Sequence, residues 1–291
     1  IKKQINYKNA WLEIYDFPVV YFPKFFHPDP SVKRQSGFLK PELGSSNNLG
    51  SSVYTPYFFV ISDDQDLTIK PRIFDDNKFL LQNEYRKKTK NSLTIADFSF
   101  LKGHDSSILD KGDTRSHLFV QTEMDLLLDN YESSILKINY QKASNDNYLK
   151  LFELQSPLLL GDNSVLESIM EIDLNHQNYD FTSSIQMYET LSGSNNDRYQ
   201  YVLPSFNFSK NFNLENINGS FNFNSSGNNT LRNTNITTSS ILNDLDYSTV
   251  NTFFENGIKA KLNVFLKNIN SVGKNNPTYK NSPQSELMSA Y

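Results

Sequence analysis

Three observations predict an all-β chain of antiparallel hairpins. Apolar and polar residues alternate in runs of about ten, separated by turn-forming residues, as expected for strands wet on one face and apolar on the other. Leu67, Ile69, Pro71 and Ile73, for example, alternate with Thr68, Lys70 and Arg72. The composition agrees: 22 Phe and 16 Tyr accompany one Trp and abundant Asn and Ser, and aromatics among small polar residues suit such sheets. Helical periodicity is absent, its best candidate being about one turn near Leu242–Tyr247. Repeated about a dozen times, this weak two-residue period is the signature of a transmembrane β-barrel, and the count alone fits a small complete barrel as well as part of a larger one.

In chain order, Gln4–Tyr15 and Val19–Phe25 read as two short strands around a turn at Asp16–Pro18. Pro28-Asp29-Pro30 follows as an extended corner, because each residue before a proline is pushed out of the α region. Beyond it, Pro41 and Pro56 sit inside two strand-like segments that flank Ser45-Ser46-Asn47-Asn48-Leu49-Gly50-Ser51-Ser52, a strong turn signal. A hairpin centred between Asn48 and Leu49 places these prolines opposite each other. Proline lacks the N–H that a ladder needs, so this hairpin is weakened twice at one level.

Phe79, Leu81, Asn83 and Tyr85 then alternate with Leu80, Gln82, Glu84 and Arg86. Leu93 and Ile95 share one parity and Phe98 and Phe100 the other, which predicts a bulge near Ala96-Asp97. After a polar connection at Gly103–Thr114 come strands at Leu118–Leu128, Ser134–Lys142, Leu166–His176, Phe181–Tyr188, Tyr199–Lys210, Asn213–Ser225 and Ile258–Asn268. Ser225–Thr252 is rich in Asn, Ser and Thr and admits two readings, a long outer loop or a polar strand with loops.

The stretch from Phe17 to Ile61 and the segment after it resemble the LPS-assembly protein family LptD, where its periplasmic jelly-roll passes into its barrel. The residues that carry the resemblance are Pro18, Tyr21 and Pro23, then Lys33-Arg34-Gln35-Ser36-Gly37-Phe38-Leu39 running into Pro41. Pro56-Tyr57-Phe58 and Asp66-Leu67-Thr68-Ile69-Lys70-Pro71-Arg72 follow. Ser144-Asn145-Asp146-Asn147-Tyr148-Leu149 resembles a barrel motif of the family, with Asn145 where acidic residues are usual. The resemblance implies three segments: residues 1–26 as the end of the jelly-roll, 27–36 as a proline-containing hinge, and 37–291 as the N-terminal part of the barrel. It also implies outer-membrane LPS transport, with lipid leaving sideways between the first and last strands. Pro41 and Pro56 would weaken that lateral gate, and Pro28 and Pro30 would form the hinge. An LptE-like lipoprotein plug and an LptA-like periplasmic bridge protein are the implied partners, with lipopolysaccharide as cargo and outer membrane lipids as surroundings.

Hydrophobic content is 37%, below the usual ~45–50%. The net charge of −4 gives no bulk attraction for nucleic acid or another polyanion. The absence of cysteine rules out disulfides, thiolate metal sites and cysteine catalysis within these residues, and departs from the disulfides common in the resembled family. The opening residues, Ile1–Trp11, lack the apolar core of a secretory signal, and the sequence reads as a fragment.

Few residues suggest chemistry. Asp63-Asp64-Gln65-Asp66 lacks the Gly and closing Glu of a calcium loop and reads as a charged turn. His27, His104, His117 and His176 have no metal-ligand spacing and read as solvated or loop histidines. No nucleophile elbow, phosphate-cradling Gly loop or paired carboxylates stand out, so neither an enzyme nor a cofactor is expected. The one basic cluster, Arg86, Lys87, Lys88 and Lys90, falls at a turn; a solvated turn is the plain reading and contact with LPS phosphates the functional one. The alternatives to transport are a general diffusion porin or other outer-membrane barrel and, less favoured, a soluble carbohydrate-binding β-sandwich.

Overall fold

The structure is a computed structural model that describes residues 4–14, 16–29, 31, 34–46, 49–75, 78–104, 113–159, 164–192, 198–213, 218–233 and 235–291. Two long strands open it, β1 (Gln4–Ile14) and β2 (Phe17–Pro28), paired antiparallel as a sheet of their own. Aromatic rings meet across this ribbon, Trp11 on Tyr21 at 4.9 Å between centroids and Tyr7 on Phe25 at 5.9 Å. All four stay exposed, since two strands have no second layer to cover them.

The main sheet begins with four short strands, β3 (Gly37–Phe38), β4 (Glu42–Ser46), β5 (Gly50–Tyr54) and β6 (Tyr57–Ser62). Long antiparallel strands follow: β7 (Gln65–Phe74), β8 (Phe79–Lys88), β9 (Ser92–His104), β10 (Asp113–Asp125) and β11 (Ser133–Ala143). A four-residue helix, α1 (Tyr148–Leu151), interrupts them before β12 (Val165–His176), β13 (Tyr179–Thr190), β14 (Tyr199–Asn213), β15 (Gly219–Arg232) and β16 (Ile236–Thr249). A small ribbon of β17 (Thr252–Phe253) and β18 (Lys259–Ala260) precedes β19 (Asn263–Lys274) and β20 (Gln284–Ala290). Sixteen strands form one sheet with β4 and β20 at the ends of its order, and among the described residues those two do not pair with each other.

The faces differ as the two-residue period requires. Leu43, Val53, Ile73, Phe98, Phe100, Leu118, Met170 and Ile185 are exposed on the outer face. The inner face carries cross-strand polar pairs: Lys70 on Glu84 at 2.7 Å, Lys137 on Glu171 at 3.2 Å, Thr182 on Asp173 at 3.1 Å and Lys267 on Asp244 at 3.5 Å. The turns at the end where residues 34–36 join the sheet are mostly short, such as 63–64, 89–91 and 177–178. Near that end the outer face carries a row of rings. Tyr179 stacks on His176 at 4.7 Å and continues to Phe208 at 5.9 Å, and Phe221 stacks on Tyr247 at 4.5 Å. Among the connections at the opposite, far end are the longer ones at 105–112, 144–164 and 191–198, and residues 144–159 fold back over the inner face there.

Four expectations need correction. Ser225–Thr252 is not a long outer loop; the reading as polar strand with loops is the nearer one, but the stretch holds more than one strand, the second half of β15 and all of β16, in unbroken register from Gly219↔Thr249 to Arg232↔Ile236. Hydroxyl and amide side chains bond across strands here, as Ser225 Oγ to Asn243 Oδ1 at 2.7 Å, which lets polar sequence sit in a ladder. Leu242–Tyr247 lies in β16, so the helical turn is absent, and α1 is the one helix among the described residues. No bulge occurs at Ala96-Asp97, because β9 keeps constant register with β8 and, from Ser92 to Leu101, with β10. The change of apolar parity is real but has another cause: Ile95 and Leu101 face inward, where residues 144–159 cover them, while Phe98 and Phe100 face out. Last, Pro41 and Pro56 are not directly opposed. Glu42 pairs with Tyr54 and Gly37 with Phe58, so the register slips by one residue between the two halves of the hairpin.

Candidate functional site

The first hairpin is broken on both sides. Leu39, Lys40 and Pro41 separate β3 from β4, and Thr55 and Pro56 separate β5 from β6. Leu39 N donates to Pro56 O at 2.8 Å, but Pro56 has no N–H to return. The same asymmetry appears one strand further on, where Thr55 N donates to Pro71 O at 3.2 Å and Pro71 returns nothing. Three adjacent staves thus each carry a proline near one level, Pro41 exposed and Pro56 buried. Each missing donor removes about 1 kcal/mol of net support. In the sequence Pro71 entered only the alternation of its strand and the family resemblance; the donor rule applied to Pro41 and Pro56 would have found it.

Below the break, at the end where the chain enters, the hairpin is clamped. Asp66 is buried and accepts from both Arg34 and Arg86, the latter at 2.8 Å. Arg34 also donates to Asp63 O at 2.6 Å, and Val60 N to Ser36 Oγ at 2.8 Å. The charged turn at 63–66 is therefore an arginine clamp. Of the basic cluster, Arg86 faces inward in this clamp and Lys87, opposite Gln65, faces the other side. Lys88 ends β8 and Lys90 lies in the turn, so the four cations do not converge on one point. Pro28 closes β2, while Pro30 lies outside the described residues. Between them Asp29 accepts from the Ser31 amide at 2.8 Å, and its carboxyl is held below the usual range by the Ser31 hydroxyl and amide.

Above the break, the inner face is filled. Tyr148, Leu149, Phe152, Leu154 and Leu158 pack on Phe74, Leu80, Leu101 and Phe119, all buried. The loop's backbone is read by inward side chains: Arg72 Nη1 donates to Phe152 O at 3.0 Å, Gln82 Nε2 to Gln155 O at 2.8 Å and Gln141 Nε2 to Leu158 O at 2.8 Å. Beneath α1 a polar chain runs from Tyr148 Oη to Ser99 Oγ at 2.7 Å, on to His117 Nδ1 at 2.5 Å, and from His117 Nε2 to Asp97 Oδ1 at 3.2 Å. His117 is therefore no loop histidine; it is 3% exposed, deep in the wall. Ser99, His117 and Asp97 have the residue types of a hydrolytic triad, but the Ser99 hydroxyl is engaged by Tyr148 and sealed under the loop, so the set works as a lock. A second knot fixes the start of the loop. Glu189, fully buried, accepts from Lys142 at 2.8 Å and Arg198 at 2.6 Å, and Arg198 also reaches Asp146 at 2.6 Å. His176 lies in the aromatic row, and the side chains of His27 and His104 lie outside the described residues.

An antiparallel sheet with an apolar outer face, an aromatic row near its short-turn end and a polar inner face defines the wall of an outer-membrane-type β-barrel. The sequence profile of the family described as LPS transport system D (LptD) matches residues 113–264, just over half of the chain. A second profile, LptD protein, matches residues 5–107. The chain belongs to the LptD family. It is similar to the LPS-assembly protein LptD of Pseudomonas aeruginosa (strain UCBPP-PA14), 36% identical over 97 residues, which are 33% of this chain and 10% of the relative. With that of Pseudoalteromonas translucida (strain TAC 125) it shares 33% identity over 141 residues, 48% of this chain and 18% of the relative. With that of Shewanella sp. (strain MR-4) identity is 28% over 202 residues, 69% and 25% of the two chains. The chain spans a tenth to a quarter of the length of these relatives.

Proposed function

We propose that this chain is the part of an LPS-assembly protein where the periplasmic domain enters the barrel, and that it carries one side of a lateral gate through which lipopolysaccharide reaches the outer leaflet. The observation that carries this reading is the first hairpin, broken on both strands beside prolines at the edge of a large sheet. An exit between strands needs a seam that opens at low cost, and ladder bonds that cannot form lower that cost. In this reading residues 1–26 are the last strands of a periplasmic jelly-roll, 27–36 with Pro28 and Pro30 a hinge, and 37–291 barrel wall in the outer membrane. Exposed rings on β1–β2 suit acyl chains, and the polar inner face suits sugars. Arg86, Lys87, Lys88 and Lys90 stand at the entry end, where phosphates on the cargo would arrive; the LptE-like plug and LptA-like bridge complete the path. In this reading the protein moves its cargo without carrying out a chemical reaction on it.

Replacing Pro41 and Pro56 by alanine in the full-length protein tests the gate. Surface LPS is expected to fall while the barrel still assembles, and undiminished surface LPS would sink the idea. A diffusion porin is disfavoured because the far end of the lumen is packed with side chains.

A further inference from the structure

Arg72 hydrogen-bonds to both the broken hairpin and the loop that fills the lumen. It projects inward from β7, next to Pro71. Its Nε donates to Ser52 Oγ of β5 at 3.0 Å, and its Nη1 donates to Phe152 O of the loop at 3.0 Å. The guanidinium lies 5.0 Å from the Phe74 ring, and that ring packs edge-on to Phe152 at 5.8 Å. Gly44 of β4 comes so close that a Cβ there would stand 2.8 Å from Ser52 Oγ and 3.0 Å from Arg72 Nη2.

At its tip the ribbon of β4 and β5 is held by Asp75, which accepts from Ser51 N at 2.8 Å and donates its own amide to Ser51 O at 3.0 Å, and by Leu49, buried in the apolar cluster of the loop. The ribbon meets β7 at Ser52, Val53 and Tyr54 only, and below that the ladder is interrupted at Thr55 and Pro56. The lower half of the hairpin is held by Arg34, Asp66 and Arg86. We propose that Arg72 is a positioning residue that couples the upper ribbon to the lumen loop, so that release of either one loosens the other. This rests on the gate reading above. A planar guanidinium suits the task because its fork serves two acceptors at once in fixed directions, whereas an ammonium gives a single mobile point of charge. Coupling of this kind is reciprocal for the two equilibria it links.

Amide hydrogen exchange on the full-length protein in outer-membrane vesicles measures both elements. Tyr148→Ala undocks the loop without touching β5. It is expected to speed exchange at Ser52–Tyr54 by about fivefold or more, within the range of such couplings. Arg72→Gln should speed it comparably, and the double variant should add little. Conversely, Ser52→Ala, which cuts only the ribbon's bond, should speed exchange at Phe152 and Leu154. Arg72→Lys should resemble Arg72→Gln. Additive effects in the double variant, or β5 exchange indifferent to Tyr148→Ala, would overturn the coupling even with a mobile ribbon. A ribbon exchanging no faster than β8–β11 in every variant would instead overturn the gate reading, and the coupling with it. If Arg72→Gln fails to assemble, the Tyr148→Ala and Ser52→Ala arms decide alone, since each reads the partner element in a chain that keeps Arg72.

Discussion

Asp66 and Tyr148 show how single side chains fix opposite ends of this wall. Asp66 serves two arginines, and removing it leaves Arg34 without its carboxylate and Arg86 with only Glu84, at 3.8 Å. Arg86 is nearly half exposed, so water screens part of the loss. Asp66→Ala is therefore expected to cost about 1–2 kcal/mol locally, read as faster amide exchange at Val60 and Ser62 with the β8–β11 strands unchanged. Tyr148 titrates differently docked and free. Burial pushes its phenol up to about 12 from the ordinary 10.0. A group whose pKa is raised in the docked state contributes its full support below the free value and loses it as pH rises towards the docked value. Docking of the loop should thus weaken above pH 10 by about 1.4 kcal/mol per pH unit, levelling near pH 12. Proteolysis of residues 144–159 at pH 9 and pH 11.5 measures this, and Tyr148→Phe should remove the difference in that window. Sequence reasoning missed this residue's partner. His117 looked like a loop histidine because nothing in the local pattern marks which strand faces a folded-back loop.

At the scale of elements, the molecule divides into ladders that are complete and ladders that are not. β15 and β16 are rich in Asn, Ser and Thr yet pair over their whole length, because every residue except proline brings its own N–H and C=O. The first hairpin carries Phe38, Leu43, Val53, Tyr57 and Phe58 yet is broken, because its prolines remove donors. Pro71→Ala should return one donor to the β5–β7 boundary and slow exchange at Tyr54 and Thr55 by roughly fivefold, the kinetic equivalent of about 1 kcal/mol. The loop over the inner face is held chiefly by apolar packing. Phe152 is fully buried, so Phe152→Ala should destabilise its docking by about 3–5 kcal/mol. Entry of large hydrophilic antibiotics into cells carrying that variant should then rise if the loop fills the lumen.

For the whole molecule, the decisive feature is an open strand order. β4 and β20 each offer an edge, and the described residues contain no partner for either. Backbone groups cannot stay unsatisfied in lipid. This chain expressed alone is therefore expected to need detergent for solubility and to migrate identically before and after boiling in a semi-native gel. The full-length protein should show the shift of a closed barrel. A soluble sugar-binding sandwich would remain in solution without detergent, which separates the two architectures in one extraction.

The sequence by itself determined the class of the fold and the weak hairpin. Alternation, turn residues and proline are local properties, and each acts within a few residues of where it is read. Strand ends at Gln4, Tyr199 and His176 follow from such local signals, as do the gaps at Pro41 and Pro56. Tertiary structure decided what faces what. The inward parity of Ile95 and Leu101, the burial of His117 and the double duty of Arg72 all depend on residues 144–159 folding over strands as many as 80 positions away. No periodicity encodes such a contact, because the residues that create it are far apart in the chain and adjacent only once the sheet has curved around them.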